Sequence, residues 1–313
     1  MDMRRIGSLT VSAVGLGCNN FGGNCDAATS ARVVDSALDA GINLFDTADY
    51  YCETQSEQFL GQALRGKRDK AVIATKFGLA FKSNPASGGA SARWIATAVE
   101  DSLRRLGTDR IDLYQIHFPD TKTPIGETLE ALDRLVKAGK VREIGNSNFA
   151  ADQIDEAAKV AADKGFTPFI SAQNHLNLLK QDTLAEIGPA CARHKLAILP
   201  YFPLQSGVLT GKYRRGSNEH GTRFGSGIYS GLRGKFLTDA VYDTVDALEA
   251  FAKARGHSLL ELAFGWLLAE PMVASVIAGA TKPEQVRTNA AAATWRLTPE
   301  EAAEAARIAR NGR

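Results

Sequence analysis

The chain has 313 residues, 44% apolar and 23% charged, with a formal net charge of +2. That length suits one large α/β barrel, about 250 residues plus insertions, and the composition excludes a disordered chain. With no basic tract, the charge balance argues against nucleic acid or a membrane surface as the main partner.

The opening MDMRRIGSLTVS lacks the apolar core of a secretory leader. It reads instead as a small hairpin turning at Gly7-Ser8, ahead of the first barrel strand. Eight strand-like runs follow in order: TVSAVGLG, INLFDT, AVIATKF, IDLYQIH, VREIGNS, FISAQNH, LAILPYF and SVIAGA. Between them one local grammar recurs, a helix, a glycine, then an apolar strand, with Gly41, Gly107, Gly139 and Gly165 at the left-handed position just past each helix. In SARWIATAVEDSLRRL, the residues Ile95, Val99, Leu103 and Leu106 share one face. Thr123-Pro124 reads as an N-cap and first-turn proline for the helix IGETLEALDRLVKAG. Strands alternating with helices imply parallel βαβ units. Eight of them predict a single (β/α)8 TIM barrel domain over 1–313, with a doubly wound open sheet as the alternative. Two long Gly-rich insertions, at about 79–91 and 205–239, follow the third and seventh strands, on the catalytic face of such a barrel. No run approaches about 18 unbroken apolar residues, so no transmembrane helix is expected.

Three signals carry little. Gly15-x-Gly17 lacks the third glycine of a dinucleotide fingerprint, because Asn20 stands there. GVLTGKY has P-loop flavour but the wrong glycine spacing, and Tyr213 replaces the hydroxyl that would meet magnesium. The five histidines show no zinc spacing. Cys18, Cys25, Cys52 and Cys191 form no CxxC pair, which fits reduced thiols and a cytoplasmic location.

The chemistry lies at the ends of strands two, three and four. The second ends in Asp46, with Tyr51 just beyond; the third is apolar until Lys76; the fourth ends in His117. Singly, each has a plain reading: a turn-capping Asp, a packing aromatic, a hydrogen-bonded core histidine. Lysine is rarely buried unless paired. In a barrel the three strand ends meet at one mouth. A phenol has a reference pKa of about 10. A nearby ammonium favours the phenolate, and Asp46 would keep that ammonium charged. His117 would orient a substrate oxygen by donating a hydrogen bond. This set can protonate a carbonyl oxygen as negative charge develops there. It leaves the attacking partner to a hydride from a bound cofactor.

At these residues the sequence resembles the aldo-keto reductase superfamily, over nearly its whole length. GINLFDTADYY with SEQFLGQAL, VIATKFG, DRIDLYQIHFPD, IGNSNF, YFPLQSGVLTGKY and GATKPEQVRTN carry the likeness. The resemblance implies a barrel that binds NADP(H), less often NAD(H), without a Rossmann fold. It also implies a catalytic tetrad at Asp46, Tyr51, Lys76 and His117, with Tyr51 as the acid. By the same likeness Ser147, Asn148 and Gln173 would hold the nicotinamide carboxamide, and Tyr201 would stack on the ring. Leu204, Gln205, Gly207 and Lys212 would follow the pyrophosphate. Gly279, Thr281, Lys282, Gln285 and Asn289 would surround the adenosine end. Thr281 and Thr288 stand where many members carry Arg and Glu, so a 2′-phosphate would fall to Lys282, with Arg287 close by. The SNF run by itself would be a helix N-cap. Loop positions suggest an open pocket lined by Phe21, Tyr50, Phe118 and the 205–239 loop. Cys52 beside Tyr51 reads as a small buried side chain.

The expected partner is a small carbonyl compound or alcohol, including sugars, with no metal; the oligomeric state is not legible. Two rivals remain from other classes. One is a nicotinamide-nucleotide-binding regulatory subunit with little turnover, a role this family also plays. The other is a lyase or isomerase forming a Schiff base at Lys76.

Overall fold

The computed structural model describes residues 1–216 and 233–311. Met3–Ile6 (β1) and Leu9–Ser12 (β2) pair antiparallel about a two-residue turn. Gly7 there takes φ +54, the left-handed geometry so tight a turn needs. Thr10, Val11 and Ser12 pair with Arg5, Arg4 and Met3. The run TVS therefore belongs to the hairpin, and the first barrel strand is only Val14–Gly17 (β3). Ser12 makes the break: its hydroxyl donates to Val14 O and accepts the N–H of Asn43, ending one pairing and anchoring the next.

The other barrel strands are Leu44–Asp46 (β4), Val72–Phe77 (β5), Ile111–Ile116 (β6), Val141–Ser147 (β7), Ser171–His175 (β8), Ala197–Tyr201 (β9) and Val276–Gly279 (β10). They form one parallel sheet in the order β10-β3-β4-β5-β6-β7-β8-β9. The circle closes just below β10. Ile198 N–H donates to Met272 O at 2.7 Å and Ala274 N–H to Ile198 O at 3.0 Å. The barrel is thus nearly closed, and the open sheet is set aside.

Helices cover the outside: Ala27–Asp39 (α1), Gln55–Ala63 (α2), Ala92–Leu106 (α3), Ile125–Lys137 (α4), Ala151–Lys164 (α5), Asp182–His194 (α6), Arg233–Phe236 (α7), Asp239–Lys253 (α8), Leu259–Ala269 (α9), Pro283–Ala292 (α10) and Pro299–Asn311 (α11). On α3 the expected stripe Ile95, Val99, Leu103 and Leu106 is buried. The start of α4 differs from the expectation. Pro124 is itself the cap residue, and Thr123 donates its hydroxyl to Asp120 instead. The side chain reaches a nearby carboxylate, so the helix begins without a side-chain cap.

The hairpin plugs the floor of the barrel. Ile6, Leu9 and Val11 pack with Leu44, Ala74, Leu113, Leu199, Ala274 and Ile277 in one buried cluster. Filling that end with apolar side chains leaves the C-terminal ends of the strands as the polar mouth. The expected insertion after the third barrel strand lies at the mouth and carries a short bridge between Phe81 and Asn84. The insertion after the seventh begins as an irregular turn over Gln205–Thr210; its residues 217–232 lie outside the described residues.

Candidate active site

Side chains alternate along a strand, so β4, β5 and β8 each send every second residue into the barrel. That alternation brings Asp46, Lys76 and Gln173 together. Lys76 Nζ lies 2.6 Å from Asp46 Oδ1 and 2.9 Å from Thr47 O. Asp46 Oδ2 accepts from Gln173 Nε2 at 2.8 Å. Lys76 is wholly buried and Asp46 is 3% exposed. Burial alone would discharge this ammonium. The facing charges of Asp46 and Tyr51, with their hydrogen bonds, outweigh it, so Lys76 is held above the ordinary lysine range.

Tyr51 stands on the turn after β4, half-buried. Its hydroxyl is 3.4 Å from Lys76 Nζ. Its ring meets that of His117 edge-on, 5.7 Å apart at 80°. His117 is buried, its Nδ1 sealed from solvent without a protein partner. Burial, then the Lys76 charge, pushes its pKa down to about 3, so the ring is neutral in ordinary buffers. Phe118, 45% exposed, stacks against it at the rim. Tyr50 is half-buried. Phe21 is different: it is fully buried in the main core with Cys18 and Cys25, so it does not line the mouth.

Next to the four lies a second network. Ser147 donates its hydroxyl to Gln173 O, and Asn148 donates to His117 O and to Ser147 Oγ. Asn148 Oδ1 accepts from the Tyr201 hydroxyl at 2.8 Å. Neither Ser147 nor Asn148 caps α5. Its cap is Ala150, whose N–H is taken by Gln153 Oε1. Tyr201 stacks on His175 with ring centroids 5.4 Å apart, and His175 Nε2 lies 2.9 Å from Gln205 Oε1. Leu204 packs on the apolar clusters beneath. Gly207 takes φ +95, and a Cβ there would strike Lys212, whose Nζ would lie 2.6 Å away. Lys212 is thus folded over that turn.

Further round the rim, β10 ends at Gly279. A Cβ there would lie 3.3 Å from Asn20 Nδ2. Gln285 Oε1 accepts the N–H of Thr281 at 2.7 Å, and Lys282 occupies the cap position of α10. Asn289 is buried on the inner side of that helix. Arg287 is engaged by Glu284 at 3.0 Å.

The sequence reading missed two links. One is Gln173 as a partner of Asp46, although the alternation Ser171, Gln173, His175 pointed into the barrel. The other is the His175–Tyr201 stack. Cys52 is half-buried and free, with burial raising its thiol pKa. Among the described residues, no His, Cys, Asp and Glu cluster is placed to hold a metal ion, and no helix is long and apolar enough to cross a membrane.

The donor set fits an extended, anionic dinucleotide. Amide and hydroxyl groups ring Gln173, an aromatic face stands at Tyr201, a cradle closed to side chains lies at Gly207 under an ammonium, and a helix N-terminus with a lysine follows.

Known proteins resemble this chain in sequence and fold. The model of the Aldo/keto reductase family matches residues 13–310. The aldo-keto reductase YhdN of Bacillus subtilis is 36% identical over 300 residues, covering 94% of this chain and 88% of its own. A probable voltage-gated potassium channel subunit beta of Oryza sativa is 34% identical, covering 86% and 83%. The solved glycerol dehydrogenase of Gluconobacter oxydans superposes with a TM-score of 0.85 at 33% identity, over 99% of this chain and 96% of that one.

Proposed function

We propose, on the premise that the chain belongs to the aldo/keto reductase family and is an oxidoreductase of that type, that Tyr51 protonates the oxygen of an aldehyde or ketone during reduction. It would take the proton back in the reverse oxidation of an alcohol or sugar. When bound, the nicotinamide nucleotide supplies or accepts the hydride.

One observation carries this reading: the fully buried Lys76 ammonium, 2.6 Å from Asp46 and 3.4 Å from the Tyr51 hydroxyl. As the phenol proton leaves, negative charge grows on the Tyr51 oxygen beside that ammonium, where low dielectric strengthens the attraction. Asp46 holds the ammonium in place and charged. Gln173 fixes the other carboxylate oxygen, so Asp46 keeps one orientation. His117 is neutral, and a proton on its sealed Nδ1 would be an unsatisfied donor. The proton therefore sits on Nε2, which donates to the substrate oxygen. A Schiff base at Lys76 is disfavoured, because an ammonium held by a carboxylate is not a free amine.

Ser147, Asn148 and Gln173 would hold the carboxamide, and Tyr201, braced by His175 and Asn148, would offer the stacking face. Leu204, Gln205, Gly207 and Lys212 would follow the pyrophosphate, and Gly279, Thr281, Lys282, Gln285 and Asn289 the adenosine. Lys282 at the start of α10 supports NADPH over NADH, since it can meet a 2′-phosphate while Arg287 is held by Glu284. The four free thiols support a cytoplasmic location.

The test is fluorescence titration with NADPH and NADH, then NADPH oxidation with 4-nitrobenzaldehyde, wild type against Tyr51→Phe. Tight NADPH binding in both, with turnover lost only in Tyr51→Phe, is the expected result. The likeness to a channel β subunit favours a second reading, a nucleotide-binding regulatory subunit with little turnover. Binding without turnover on any carbonyl compound would favour it. Binding of neither nucleotide would end both.

A further inference from the structure

The turn that carries Tyr51 runs against its own sequence. Cys52, Glu53 and Thr54 stand at φ 50, 51 and 77. These are three successive left-handed residues, each with a Cβ that resists that conformation. The turn's own backbone bonds are long. Glu53 N–H reaches Tyr50 O at 3.3 Å, Gln55 N–H reaches Cys52 O at 3.2 Å, and Ser56 N–H reaches Tyr51 O at 3.4 Å.

The shortest bond to the turn comes from outside, from the Ser83 hydroxyl. The Glu53 carboxylate accepts from Lys82 N–H at 3.1 Å, Ser83 N–H at 3.3 Å and the Ser83 hydroxyl at 2.6 Å. All three donors belong to the loop after β5. On the opposite side, Cys52 Sγ lies 3.7 Å from Asn19 O. A Cβ on Gly22 would fall 2.4 Å from Gln55 Cβ, so the 18–25 segment is pressed against the turn. The turn is held between two neighbours, and one of them grips it through a single side chain.

We infer that Glu53 is a positioning residue for Tyr51: by binding Lys82 and Ser83, its carboxylate lets the loop after β5 hold the strained turn and set where the phenol stands. This rests on Tyr51 being the acid. Small displacements of a proton donor cost far more in rate than in binding. An acceptor that pushes the 81–87 loop aside would therefore lose kcat before it loses affinity, which makes the loop a determinant of substrate choice.

The test uses the full chain with NADPH and 4-nitrobenzaldehyde. In Glu53→Ala, kcat should fall about tenfold to a hundredfold. KM and the NADPH dissociation constant should stay within about twofold, the pattern of a lost transition-state interaction. Glu53→Gln keeps an acceptor oxygen for the Ser83 hydroxyl, and should recover to within about threefold of wild type. Unchanged kcat in Glu53→Ala would overturn the inference. So would a fall in kcat matched by equal losses of NADPH-binding sites and folded protein, with no recovery in Glu53→Gln, because that is a purely structural role. Tyr51→Phe run alongside separates the two levels. If it keeps turnover, the acid assignment falls and the inference with it; if it is dead while Glu53→Ala is unaffected, only the inference falls.

Discussion

At the floor of the barrel, Asp112 lies between Arg68 at 2.7 Å and Arg142 at 3.2 Å, and also takes the N–H of Ile73. At the mouth, buried groups are left in less settled company. His117 Nδ1 has no protein partner, and burial, with Glu57 nearby, raises the pKa of Asp49 well above the carboxylate range. The backbone divides the same way. Of the eight non-glycine residues with left-handed φ among the described residues, only Lys195 lies at the floor. Cys52, Glu53, Thr54, Asn148, Phe202, Gln205 and Ser206 all stand in loops at the mouth. Left-handed backbone outside glycine thus collects at one end of the frame. Floor contacts serve stability, whereas mouth contacts trade stability for a fixed chemical geometry.

That division can be broken by experiment. The largest effect is expected from Asp46→Ala, which leaves the Lys76 ammonium buried with only the Thr47 carbonyl and the Tyr51 hydroxyl as partners. Stability should drop by about 3–5 kcal/mol and turnover by about 10³-fold, read by urea unfolding and by NADPH oxidation. An unfolding midpoint equal to wild type would show that the mouth does not rely on this pair.

A pH effect comes next. Above about pH 6.5 the His117 ring is neutral in both folded and unfolded chains. Between there and the native value of about 3, the unfolded chain takes a proton that the native ring cannot. Stability should therefore fall as pH falls through that window, by up to about 1.4 kcal/mol per unit. His117→Gln should flatten the slope in urea titrations at stepped pH, and an unchanged slope would contradict the neutral ring. The same low value predicts that no limb of the kcat profile between pH 5 and 8 belongs to His117.

At the floor, Asp112→Ala should cost about 2–3 kcal/mol, because it strips a buried N–H and two arginines of a shared acceptor. The NADPH dissociation constant and kcat per folded molecule should not move. A kinetic change there would mean that floor and mouth are coupled. The smallest effect is Lys195→Gly, at φ 56 after α6, which should raise stability by about 0.5–1 kcal/mol in thermal melts and leave kinetics untouched.

Much of the frame was legible because its signals are local. A glycine past four of the helices, an apolar stripe on α3 and eight short strand-like runs follow from backbone rules that operate within a few residues. The meeting of Asp46, Lys76 and His117 was legible for a related reason: each ends a strand-like run, barrel closure brings such ends together, and Tyr51 follows Asp46 on the next turn. Contacts across the barrel were not. Gln173 reaches Asp46 from 127 residues away, and no sequence spacing encodes that meeting. Phe21 looked like a rim aromatic, but the turn at Cys18–Cys25 folds it into the core. At α5, the SNF run taken by itself read as an N-cap, but neither Ser147 nor Asn148 serves as one. Their side chains are drawn instead to Gln173 and His117, and Gln153 serves the helix from within.

The seam between β9 and β10 has a consequence for motion. Seven strand pairs are joined by ladders of two or more residue pairs, while this one is joined only through Ile198 and the Met272–Ala274 segment. It is the place where the ring should open first, so the amides of Ile198 and Ala274 should exchange with deuterium sooner than those of β5 or β6. Tyr201 and Gly279 stand at the two sides of this seam, and a nucleotide lying along both would act as its missing ladder. Saturating NADPH should slow exchange at those two amides more than anywhere on the opposite wall.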